Sequence, residues 1–167
     1  MDVVSKGEHF LSGYLEECDR NPTVHVRYNS QEHDWNGLGN AFRGYAHTIK
    51  SSGYAEADIY SLVRDCLVVL SDSEFSSDSH FKQTSTILQQ ILEMVAKKNH
   101  DYGSAVFRVP CCIPSLSIGS AILVRLSDKF ERFWNLTEGN KNFVEESVED
   151  TVKDIVGYLF LFWWFME

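Results

Sequence analysis

The sequence predicts a mainly α-helical bundle, and three stretches with helical periodicity carry that prediction. In Val144–Tyr158, VEESVEDTVKDIVGY, a turn of about 100° per residue gathers Glu146, Asp150 and Asp154 into one narrow stripe, while Val148, Val152, Ile155, Leu159 and Phe162 gather opposite. Ile87, Leu88, Ile91, Leu92 and Val95 form a second apolar stripe, which ends at Lys97-Lys98-Asn99 with Gly103 beyond as a stop signal. The third stretch runs from about Leu116 to Leu136, where Arg125, Asp128, Lys129 and Arg132 share a face with Ile118, Ala121, Ile122 and Leu136. Helices are therefore expected near 81–99, 116–136 and 144–165.

The rest of the chain reads less regularly. Phe10, Tyr14 and Leu15 sit between acids in residues 1–20, as in a short amphipathic helix stopping before Asn21-Pro22. Thr23–Tyr28, TVHVRY, alternates as a short strand would. Asn29–Gly44 is polar, Gly-rich and without a clear period, so a loop with a helical turn is expected there. Ala55–Leu70 places Ile59, Leu62, Val63, Cys66 and Val69 or Leu70 on one helical face. Ser71–Ser79, SDSEFSSDS, has the composition of a linker. It divides an acidic N-terminal extension or small subdomain, residues 1–80, from a helical domain, residues 81–167. Two prolines flank the Cys111-Cys112 pair in an expected loop, and a turn is expected at Glu138–Asn142.

Composition narrows the function classes. A hydrophobic fraction of 44% and an aromatic fraction of 13% describe a globular chain despite a net charge of −9. Residues 1–80 carry 13 acids against 6 bases and residues 81–167 carry 11 against 9, so most of the acidity lies in the N-terminal half. That balance disfavours direct nucleic-acid binding, which calls for a basic patch. A nucleotide remains compatible, because a bridging cation inverts the local sign. The four cysteines show no CxxC spacing, so reduced thiols and a cytoplasmic location are expected. His25, His33 and His47 match no ligand spacing and are assigned no role. No signal peptide is read at the start, and the apolar run VGYLFLFWWFM is shorter than the roughly 20 residues a membrane span needs. Trp163, Trp164 and Phe165 add apolar surface in several directions, which predicts a homodimer or higher homo-oligomer.

The acidic stripe of the last helix continues through Gly157, Leu161 and Trp164, so its carboxylates are expected at the mouth of a crevice. Clustered carboxylates raise one another's pKa unless a cation compensates, and a hard divalent ion such as Mg²⁺ is the usual compensation. The competing account is an interhelical ion-pair network in which Arg132 or Lys129 bridges to Asp150 or Asp154. Both accounts stay open at this level.

Three motifs occur in order: Lys98-Asn99-His100-Asp101-Tyr102-Gly103; then Arg125, Asp128-Lys129 and Arg132; then Glu146-Ser147, Asp150-Thr151 and Asp154, with Tyr158 one turn on. Together they resemble the nucleotide modification associated domain 1 family, a small domain common in phages, over roughly residues 82–166. More distantly the pattern resembles the all-α nucleoside triphosphate pyrophosphatases of the MazG and dimeric dUTPase type. Their EExxE is matched by Glu145, Glu146 and Glu149, but no ExxD follows it.

The resemblance implies a nucleotide ligand, a helical bundle completed by dimerisation, and Mg²⁺-dependent hydrolysis of a (deoxy)nucleoside triphosphate or related phosphoanhydride in the cytoplasm, that of a bacterial host for a phage-encoded chain. Glu146, Asp150 and Asp154 would be the catalytic carboxylates and, with Asp128, the metal ligands. Lys98, Arg125, Lys129 and Arg132 would clamp phosphates, and Asn99, Asp101 and Tyr102 would contact base or sugar. Two alternatives come from other classes. One is a non-catalytic protein that sequesters a nucleotide, as in phage counter-defence. The other is an interaction module acting through the acidic residues 1–80.

Overall fold

The computed structural model describes residues 2–21, 33–53, 56–71, 77–139 and 147–167. Six α-helices make up the described architecture: α1 (Val3–Arg20), α2 (Trp35–Ser52), α3 (Glu56–Leu70), α4 (Ser77–Asp101), α5 (Ile118–Thr137) and α6 (Val148–Met166), with one 3₁₀ turn at Ala105–Phe107. Among the described residues there is no strand. The strand expected at Thr23–Tyr28 lies outside them.

Helix starts are set by short polar caps. The side chains of Asp2, Asp34, Ser117 and Ser147 accept from the backbone N–H of Ser5, Gly37, Ser120 and Asp150 respectively, each satisfying one of the amides a helix N-terminus leaves unpaired. In α6 the cap is Ser147, so Glu149 and Asp150 occupy the first turn, where the helix dipole favours negative charge. Part of the Glu-Ser-x-x-Asp pattern is thus helix initiation.

The organising element is α6. Thr151, Val152, Ile155, Val156, Gly157 and the run Leu159–Trp163 are all buried, as expected of a helix packed on every side. Its most extensive partner is α5, and it also meets α1, α3 and α4. One hydrophobic core draws on both halves of the chain, from Phe10, Tyr14, Leu38, Phe42 and Ile59 to Leu88, Ile122, Phe133 and Phe160. Phe10 joins α1 to α6 by meeting Trp163 and Phe160 edge-on at centroid distances of 4.9 and 5.3 Å.

Two local expectations are corrected. Residues 35–44, expected as loop, belong to α2. Gly37, Gly39 and Gly44 lower the local helix propensity, but burial of Leu38, Phe42 and Tyr45 at i, i+4 and i+7 outweighs it. Phe42 stacks on Phe130 at 4.7 Å and meets Phe133 edge-on at 4.9 Å. The expected linker also ends earlier than composition suggests, since Ser77–Ser79 already lie in α4.

The C-terminal aromatic run is covered largely by the chain itself. Trp163 is buried, the Trp164 ring packs on Phe107 at 4.4 Å, and Phe165 is left 40% exposed. The surface that motivated self-association is therefore smaller than the run of aromatics implies.

Candidate functional site

A cleft of about 1040 Å³ lies between α4 and α6. From α4, Ile87, Ile91, Met94 and Val95 give it an apolar wall that ends at Lys98 and Asn99. From α6, Asp150, Lys153 and Asp154 line its upper part and Gly157, Tyr158 and Leu161 its lower part. The two helices approach closely at Gly157, where a Cβ would stand 3.0 Å from Val95 Cγ2. Of the stripe expected to lead into a crevice, Asp150, Asp154, Gly157 and Leu161 line this cleft with α4 as its other side, Trp164 packs on Phe107 instead, and Glu146 lies outside the described residues.

The end of α4 is shaped by the Lys98–Gly103 motif. Tyr102 N–H still donates to Lys98 O at 3.0 Å, after which Gly103 and Ser104 take left-handed φ of 56° and 59° and reverse the chain. Glycine accepts that conformation without the steric penalty of a side chain. The Asn99 amide nitrogen donates to Ser104 Oγ at 3.1 Å, while its Oδ1 is buried without a hydrogen-bond partner. The reversal leaves Tyr102 beside the cleft, 74% exposed. Ala105 and Val106 then close that end.

Asp154 is the electrostatic centre. Lys98 of α4 donates to its Oδ1 at 3.0 Å, and Lys129 of α5 lies 2.7 Å from its Oδ2. Burial by itself would raise the Asp154 carboxyl, but the hydrogen bonds and charges of Lys129 and Lys98 outweigh it and hold the group below the ordinary aspartate value. Two ammonium groups share this one carboxylate. It ties three helices together at the cleft.

The remaining expected residues divide. Arg125 lines the cleft from α5. Asp101 is exposed beside His100, at 3.4 Å, and does not line the cleft. Asp128 is exposed on α5 and does not line the cleft either. One residue is about 100° of helix, so the step that aims Lys129 at α6 turns Asp128 off that seam. Arg132 is half-buried on α5 and is not part of the cleft wall. Glu146 lies outside the described residues. Among those residues no three His, Cys, Asp or Glu side chains assemble as a cation site.

Sequence reasoning missed Lys153, Met94 and Gln90, which line the cleft. Lys153 stands three residues after Asp150, so the stripe that selected the acids also contained a base. Met94 and Gln90 continue the spacing of Ile87 and Ile91 down α4 towards Lys98.

Residues 98–162 match the family described as nucleotide modification associated domain 1. The match begins at Lys98, one of the Asp154 partners, and includes Lys129 and Asp154; α1, α2 and α3 lie outside it. No curated protein and no solved structure matches the chain.

Proposed function

We propose that this nucleotide modification associated domain binds a nucleotide in the cleft between α4 and α6. The observation that carries the reading is a pair of cations, Arg125 and Lys153, which line the cleft and pair with no carboxylate among the described residues. These two cations favour an anion, and a guanidinium is well suited to phosphate oxygens. Below them the apolar wall formed by Ile91, Met94 and Leu161, with Tyr102 at the rim, suits a flat base that can stack and shed water. Asn99 beside Tyr102 supplies an amide at the cleft wall.

A second reading, Mg²⁺-dependent hydrolysis of a nucleoside triphosphate or related phosphoanhydride, is favoured by Asp150 and Asp154 standing one turn apart on the same wall. The described carboxylates do not by themselves fit a resident Mg²⁺. Each Asp154 oxygen already has an ammonium partner, and Asp128 does not line the cleft. Glu146 is the further carboxylate this reading calls on.

Calorimetric titration with a panel of ribo- and deoxynucleotides, with and without Mg²⁺, tests the binding reading. Monitoring the same mixtures for monophosphate and pyrophosphate tests turnover. Saturable binding without product supports binding alone, and Mg²⁺-dependent product supports hydrolysis. No binding and no product across the panel would overturn both.

A further inference from the structure

Pro110 to Ile113 form a closed turn in which Ile113 N–H donates to Pro110 O at 3.1 Å, and Cys111 and Cys112 are its two central residues. Neither cysteine has a positive φ. Both are exposed free thiols, and their sulfurs lie 3.8 Å apart. Pro110 and Pro114 restrict the backbone on either side of the turn that places these adjacent thiols within reach of each other.

Adjacent residues have Cα atoms about 3.8 Å apart across a trans peptide, below the roughly 4.4–6.8 Å that a relaxed disulfide spans. A direct S–S bond is thus a poor fit. A third atom bridging the sulfurs relieves that constraint, and thiolates prefer soft centres. From this geometry we infer that Cys111 and Cys112 form a dithiol chelate site for a soft, thiophilic trivalent centre of the arsenical class. Binding an organoarsenic(III) oxide forms two As–S bonds; the two thiol protons leave with the oxide oxygen as water, and arsenic stays trivalent. With both sulfurs already placed, the second bond closes at high effective concentration.

The other thiols do not compete. Cys18 and Cys66 are buried, and burial raises both thiols above the ordinary value. The site stands apart from the nucleotide reading, on the loop that leads from the cleft end at Val106 to α5.

The test is intact-mass analysis of the folded full chain after treatment with phenylarsine oxide. One adduct per chain is expected, reversed by 1,2-ethanedithiol and resistant to excess 2-mercaptoethanol. Cys111→Ser and Cys112→Ser should each abolish the dithiol-specific adduct, whereas Cys18→Ser should keep it. Since both residues are exposed, circular dichroism of the two loop variants should match the parent. No adduct on the folded parent, removal by the monothiol, or persistence in either loop variant would overturn the inference.

Discussion

Lys129 of α5 places its Nζ 2.7 Å from Oδ2 of Asp154 on α6, and this contact, shared with Lys98 of α4, ties three helices at the cleft. Asp154 and Lys129 keep 25% and 23% of their side-chain exposure, so the pair lies between a surface ion pair and a buried one. Replacing Asp154 by Asn removes the carboxylate that both ammonium groups share. The expected cost is about 1–3 kcal/mol, between the surface and buried limits. Asp150 is exposed, and Asp150→Asn should change stability by about 0.5 kcal/mol or less. Urea denaturation of both variants decides it. Equal losses would contradict the role given to Asp154, and a Mg²⁺-induced rise in the parent melting temperature that vanishes in Asp154→Asn would favour the cation reading instead.

The same contact predicts a pH dependence. The Asp154 carboxyl is held below its ordinary value of 3.8 in the folded chain, so the unfolded chain binds its proton first as pH falls. The contribution is fully present above that ordinary value and is lost as pH falls through the folded one. The stability difference between the parent and Asp154→Asn should therefore be constant near neutrality and shrink below about pH 4. Denaturant titrations of both proteins at several acidic pH values measure it, and a difference that grows on acidification would refute the assignment.

Arg125 and Lys153 carry the proposed phosphate contact without supporting the fold through any ion pair among the described residues. Each substitution by Ala should weaken nucleotide binding about tenfold, corresponding to roughly 1.4 kcal/mol, while leaving the melting temperature nearly unchanged. Calorimetry on the two variants tests the anion site directly. Undiminished affinity in both would move the phosphates elsewhere.

At Gly157 the spacing between α4 and α6 is tight, since a Cβ would stand 3.0 Å from Val95 Cγ2. Gly157→Val should cost about 1–3 kcal/mol by overpacking and should also weaken ligand binding, because it alters the cleft wall. A variant with parent-like stability and affinity would show that the helices separate freely.

Phe42 tests the joining of α2 to the core. It is fully buried against Phe130 and Phe133, and Phe42→Ala should cost about 3–5 kcal/mol. A loss below about 1 kcal/mol would mean that α2 packs loosely.

The sequence by itself determined most of the helices and the stripe of charge on the last one. Those features follow from periodicity, caps and chain stops, which act between residues a few positions apart. Ile87, Ile91 and Val95 announce one wall of the cleft in this way, and Asp150, Asp154 and Leu161 announce the other. α2 was harder to read because its glycines speak against a helix locally, while the burial of Leu38, Phe42 and Tyr45 depends on α3 and α5 being beside it. Tertiary structure alone decided the partners of the charges. Lys129, Arg132, Asp128 and Arg125 share one stripe in sequence, yet only the rotation of α5 against α6 brings Lys129 to Asp154, turns Arg125 to the cleft and leaves Asp128 in solvent. Coulomb attraction does not name its partner in advance, and the packing of the apolar faces decides which ammonium group arrives within 3 Å.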